Sequence, residues 1–192
     1  MVKQIMKQEV VTVPSEVTLT IKNKIVSCKG PLGELSKSFK KFNAQLIPSY
    51  GADKRIESVQ VRRWFCNKKE KACINSTKKH LKNMIVGVTK GFTTVMKYGY
   101  KFFPMTVGVR ENNLEIEKFA GRLYKPRVTP IEGVKLSMNP NDIAKEINVS
   151  GIDAESVGKT CSLINQSCKY RNVDKRIFID GIFIFEKKNM KW

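Results

Sequence analysis

The chain repeats itself at an offset of 88 residues, which constrains it to two copies of one small fold. Leu19, Ile21, Val26, Cys28, Gly33 and Leu35 recur as Val107, Val109, Leu114, Ile116, Gly121 and Leu123. Val59 and Val61 recur as Ile147 and Val149, and Cys73 recurs as Cys161. Apolar positions return while charges do not, Lys29 standing opposite Glu117, as expected when a core is kept and a surface diverges. Two copies are too few for a solenoid, so each must close its own core. The expected split lies near residues 98–103, giving units 1–99 and 100–192, and 192 residues suffice for two small domains.

Local pattern supplies the elements. Residues 17–21 and 25–28 read as a hairpin, and 30–33 (GPLG) as a turn, since proline fixes one dihedral and glycine admits positive φ. Residues 35–42 read as a short strand, 48–51 as a loop around Pro48, and Val59 to Trp64 as a further strand. Asn67 and Glu70 form a capping-box pattern. Beyond it Cys73, Thr77, Leu81, Met84, Ile85 and Val88 share one helical face, with Lys71, Lys78, Lys79 and Lys82 largely elsewhere. Residues 92–100 return as a strand. In the second copy, 105–109 and 114–119 make a hairpin around 111–113, Gly121 turns the chain, and 134–138 and 144–149 supply strands. Asp153 caps a helix to about Lys169 with Val157, Cys161, Ile164 and Cys168 inward, and 174–185 closes as a strand region. The fold class is α+β, a tandem duplication of antiparallel strands plus one helix.

Charge then narrows the partners. Thirty-six Lys and Arg against 17 Asp and Glu give +19, a field that attracts polyanions. Residues 1–99 hold 20 basic and 6 acidic groups (+14), and 100–192 hold 16 and 11 (+5). No apolar stretch approaches the roughly 20 residues needed to span a bilayer, and the N-terminus lacks the apolar run of a signal peptide. Nucleic acid is the expected partner, not membrane. Five cysteines without a C-x-x-C and a single histidine argue against a structural zinc site and for a reducing, intracellular compartment. No cofactor is expected.

Catalytic motifs fail on inspection. Gly158-Lys159-Thr160 imitates the end of a phosphate-binding loop, but Gly151 lies too far upstream and Gly158 falls inside the expected helix. His80 sits among Lys78, Lys79 and Lys82 without a nearby nucleophile or carboxylate, which suits a surface or RNA-facing histidine. An enzyme is not expected. Basic runs at 37–41, 62–63, 68–71, 78–82 and 169–176 interleave instead with Phe39, Phe42, Trp64, Tyr170 and Phe178. Cations neutralise phosphates and aromatic rings stack on unpaired bases, so folded RNA is the expected ligand.

Longer segments resemble a known family. Residues 30–35 (GPLGEL), 64–70 (WFCNKKE), 79–92 (KHLKNMIVGVTKGF) and 102–104 (FFP) look like its first half. Residues 114–119 (LEIEKF), 141–143 (NDI), 162–167 (SLINQS) and 176–183 (RIFIDGIF) look like its second. The family is the universal large-subunit ribosomal protein number six, number nine in the eukaryotic scheme, here of the eukaryotic and archaeal branch. Tyr170, Val173, Cys66 and Asn75 depart from its usual pattern. The resemblance implies two tandem α+β copies and binding to large-subunit rRNA near the sarcin–ricin loop and stalk base. Neighbouring large-subunit proteins and translation factors would lie close by. It implies a cytoplasmic ribosomal location, with nucleolar transit during assembly, and a second copy that is the main rRNA anchor. On that implication Lys125, Arg127, Lys169, Arg171, Lys175, Arg176, Lys187 and Lys188 are candidate phosphate contacts, with Lys78, Lys79 and Lys82 secondary. The alternative is an RNA-binding ribosome assembly factor of the same fold.

Overall fold

The computed structural model describes residues 4–51, 55–101, 103–121, 123–138, 145–170, 174 and 176–189. Of the expectations above, Arg171 and Lys175, the motif 141–143, Phe102, Ala144 and Val173 fall outside these. Two units emerge, Met1–Lys90 and Gly91–Trp192.

The first unit runs β1 (Gln4–Thr12), β2 (Thr18–Lys22), β3 (Ile25–Gly30), β4 (Gly33–Ser38), β5 (Gln45–Tyr50), β6 (Ile56–Cys66) and α1 (Lys68–Thr89). Alternating apolar residues in β2 and β3 bury one face, Leu19 opposite Cys28 and Ile21 opposite Val26. Asn23 and Lys24 both adopt positive φ, the conformation a two-residue hairpin turn requires. β2, β3 and β4 form one antiparallel sheet, and β1, β6 and β5 form a second in that order. Helix α1 lays Ile74, Thr77, Leu81, Met84, Ile85 and Val88 inward. Its start is fixed by the Asn67 N–H donating to Glu70 Oε2 at 2.7 Å. At Gly30 an added Cβ would meet the Val88 carbonyl oxygen at 2.8 Å, so the helix end sits directly on the β3 backbone.

The second unit repeats the plan with β7 (Phe92–Gly99), β8 (Thr106–Arg110), β9 (Asn113–Glu117), β10 (Arg127–Val128), β11 (Val134–Met138), β12 (Glu146–Gly151), α2 (Ala154–Ser167) and β13 (Gly181–Asn189). The hairpin recurs in register, Val107 opposite Ile116 around Glu111 and Asn112, again both at positive φ. Sheets run β10-β9-β8 and β11-β12-β7-β13, all pairs antiparallel. Asp153 caps α2, accepting from the N–H groups of Glu155 and Ser156 at 3.1 Å each. The α+β duplication therefore stands, each unit having antiparallel sheets and one helix.

Several expectations change. The boundary lies after Lys90 rather than near residue 99, because β7 pairs with β12 and β13. By register β7 is the counterpart of β1, since Met96 faces Ile147 as Val11 faces Val59. Lys97 moves with it, so the units carry 19 basic and 6 acidic groups (+13) and 17 and 11 (+6). Residues 48–51 are not simply a loop: Pro48 lies within β5, an edge strand, where a missing N–H is tolerated. The last strand begins at Gly181, not at 174. Cys73 is only half-buried, and Ile74 takes the core position instead. Leu123 is fully exposed, so the match of Leu35 with Leu123 is not a core pair, whereas Ile147 and Val149 are as fully buried as Val59 and Val61.

Candidate RNA interface

Unit one concentrates cation density on α1. Helical spacing places Lys68, Lys71, Lys79 and Lys82 outside the buried Leu81 face, with Lys78 on its flank. Lys79 and Lys82 are exposed and have no acidic partner among the described residues. Lys78 is different, because its Nζ lies 2.8 Å from Glu9 Oε2 while Lys7 Nζ lies 2.9 Å from Glu9 Oε1. Two donated hydrogen bonds, from Lys7 first and then Lys78, pull the Glu9 carboxyl from 4.5 down to about 2. A carboxyl with a depressed folded pKa stabilises the fold above its unfolded value, and that contribution disappears as pH falls from about 4.5 to about 2. Glu9→Gln should therefore flatten the stability difference between pH 5 and pH 2 relative to the parent. A carboxyl titration by NMR with its midpoint near 4.5 would refute the arrangement.

The second unit presents its cations in pairs. Lys125 Nζ donates to Glu117 Oε1 at 2.7 Å, which lowers the Glu117 pKa. Arg127 Nε approaches Glu115 at 3.8 Å, Arg176 Nε approaches Asp174 at 3.6 Å, and Lys188 Nζ meets Glu186 at 2.6 Å. The Glu186 contact raises the Lys188 pKa. Lys169 and Lys187 are exposed with no acidic partner among the described residues. Exposed pairs of this kind are weak, so phosphate can compete for the cations. An aromatic row runs from Phe119 to Tyr170 at 5.0 Å and from Tyr170 to Phe178 at 5.6 Å. Buried Asp180 anchors Tyr170, accepting from its hydroxyl at 3.4 Å as well as from the Lys101 N–H at 2.7 Å.

The aromatics expected to stack on bases are mostly structural. Phe39 is buried and packs on Phe42 at 5.6 Å, Phe42 meets His80 edge-on at 5.5 Å, and Tyr170 and Phe178 are half-buried. His80 is itself half-buried, with Lys37 Nζ 3.3 Å from Nδ1, rather than a free surface histidine. Trp64 alone of the five shows a large part of its ring, at 46% exposure. Its neighbour Phe65 was not anticipated: it is 68% exposed and adopts φ 51°, a conformation costing a bulky residue about 1–3 kcal/mol. Doubled aromatics beside Arg62 and Arg63 were the signal for it in the sequence.

Other chemistry finds no support. Gly158 lies within α2, and Thr160 is fully buried with its hydroxyl donating to the Ser156 carbonyl at 2.9 Å, so no phosphate-cradling loop forms there. Burial pushes the Cys28 and Cys168 thiols up to about 11, which makes them small apolar groups rather than nucleophiles. Among the described residues no helix is long and apolar enough to cross a membrane.

Comparison with known proteins completes the site's context. A family model described as ribosomal protein L6 matches residues 13–91. The large ribosomal subunit protein uL6 of Tetrahymena thermophila is 33% identical over 180 residues, covering 93% of both chains. Its archaeal namesakes from Ignicoccus hospitalis and Saccharolobus solfataricus are 34% and 35% identical, over 99% and 94% of this chain and 100% and 95% of their own. Identity at that level along nearly the whole length, on a fold duplicated as the sequence required, means that this chain belongs to the uL6 family of ribosomal proteins.

Proposed function

We propose that the protein is a structural constituent of the large ribosomal subunit that clamps folded rRNA electrostatically. It is not an enzyme. The observation that carries the reading is the near full-length likeness to uL6 proteins of a eukaryote and of archaea. The excess of cations on both units supports it, since phosphate contacts position a protein on RNA without reading sequence. In this proposal the second unit is the main anchor, through Lys125, Arg127, Lys169, Arg171, Lys175, Arg176, Lys187 and Lys188. Lys78, Lys79 and Lys82 supply secondary contacts. The site lies near the sarcin–ricin loop and stalk base, among other large-subunit proteins and within reach of translation factors.

Sedimentation of a tagged copy from lysate on a high-salt sucrose gradient tests it. About ten phosphate contacts lose several decades of affinity as salt rises, so a loosely held protein is released. Stable migration with large subunits, monosomes and polysomes is the expected result. Confinement to precursor particles would favour an assembly factor instead, and release to the top fractions would end the ribosomal reading.

A further inference from the structure

Among the described residues, helix α1 packs on one face of the β1-β6-β5 sheet and leaves the other uncovered by any helix. Val59 and Val61 point toward α1 and are fully buried, so the alternate residues of β6 point away from it. Register then assembles the opposite face: Met6 beside Trp64, Gln8 beside Arg62 and Gln45, Val10 beside Gln60 and Ile47. Met6, Val10 and Trp64 are 38, 44 and 46% exposed, and no carboxylate stands in these rows. The Arg62 guanidinium carbon lies 5.8 Å from the Trp64 ring centre, and its buried Nε has no hydrogen-bond partner among the described residues.

We infer that this face is a stacking platform for an unpaired RNA segment, with Trp64 receiving a base and Arg62 donating to the adjoining base edge or phosphate. The inference rests on the proposed ribosomal role and adds to it a second kind of contact. Three side-chain amides can donate to and accept from base edges, which phosphate-clamping lysines cannot do. Left-handed Phe65 departs from the strand's alternation, so its ring stays exposed beside Trp64 while Cys66 turns inward. A protein partner fits less well, because the only charge in these rows is positive and the Gln8-Arg62-Gln45 row and Gln60 interrupt the apolar residues, leaving no continuous apolar seam.

The chain contains two tryptophans, so Trp192→Phe leaves Trp64 as the sole indole emitter in the full-length protein. Titration with a ten-nucleotide single-stranded RNA of mixed sequence should quench that emission, and the same strand annealed to its complement should not. Trp64→Ala should weaken single-strand binding about ten-fold or more, with Trp64→Phe restoring most of it. Single-strand binding without quenching, equal quenching by the duplex, or unchanged affinity in Trp64→Ala overturns the platform. Sedimentation separates this from the broader reading. A Trp64→Ala chain that still enters large subunits, while losing the quenching-linked affinity, supports the platform as an accessory contact. A parent chain that never enters large subunits sinks the ribosomal role whatever Trp64 does.

Discussion

Phe119→Ala should destabilise the second unit by about 3–5 kcal/mol, most of what a marginally stable domain has to lose. The ring is 1% exposed and sits in the core with Met105, Leu114, Ile116 and Ile164. It reaches that position because Lys118 and Ala120 on either side adopt positive φ, folding the chain sharply so that the phenyl group points inward. Removing the ring would leave those two unfavourable conformations in place and open a void beneath Tyr170, whose ring lies 5.0 Å away. Tyr170 in turn packs on Phe178, so the void would loosen both rings, the neighbours of Lys169 and Ile177 in the chain. Urea denaturation of the full chain should show the second unit melting first, with Phe119→Leu losing markedly less. A loss below about 1 kcal/mol would mean that the ring is not the keystone of this core.

How far the sequence could be read depended on whether the deciding contact was local. The hairpin at residues 18–30 and its copy at 106–117 were legible because alternation and a two-residue turn are short-range signals. Both helix starts were legible from Asn67 with Glu70 and from Asp153. Strand β1 was not anticipated, and the reason lies in Lys7 and Glu9. Both turn toward α1, where periodicity expects apolar groups, and they are satisfied there by each other and by Lys78 from 69 residues away. The edge position that lets Pro48 sit in β5 is equally non-local. So is the assignment of β7, which only its pairing with β12 and β13 reveals.

The same limit governs the interface. Residue types located the cations, but not which of them already had partners: Lys125 with Glu117 and Lys188 with Glu186 look free in the sequence and are paired in the fold. The aromatics show it more sharply. Phe39 and Trp64 had equal claims as stacking surfaces, yet Phe39 is sealed in the core while Trp64 stands on an open sheet face. Spacing cannot tell the two apart, because burial of an aromatic is decided by what the chain brings over it later.

The proposed ranking of the two cation clusters rests on the number of charges each can offer to phosphate. Replacing Lys169, Arg171, Lys175 and Arg176 together with glutamine should weaken binding to large-subunit rRNA by on the order of a hundred-fold at physiological salt. Each lost phosphate contact lowers the logarithmic salt slope by about 0.7–0.9, so four contacts should flatten it by about three. Glutamine at Lys78, Lys79 and Lys82 should do less. Lys78 is already held by Glu9, so the helix triple variant removes two cations without an acidic partner among the described residues, Lys79 and Lys82, whereas the cluster variant removes four positive charges, Arg176 sharing its own with Asp174. Filter binding to purified rRNA across 50–300 mM salt reads both affinity and slope. If the helix triple variant shows the larger loss and the larger change in slope, the first unit is the anchor and the assignment of the second to that role fails.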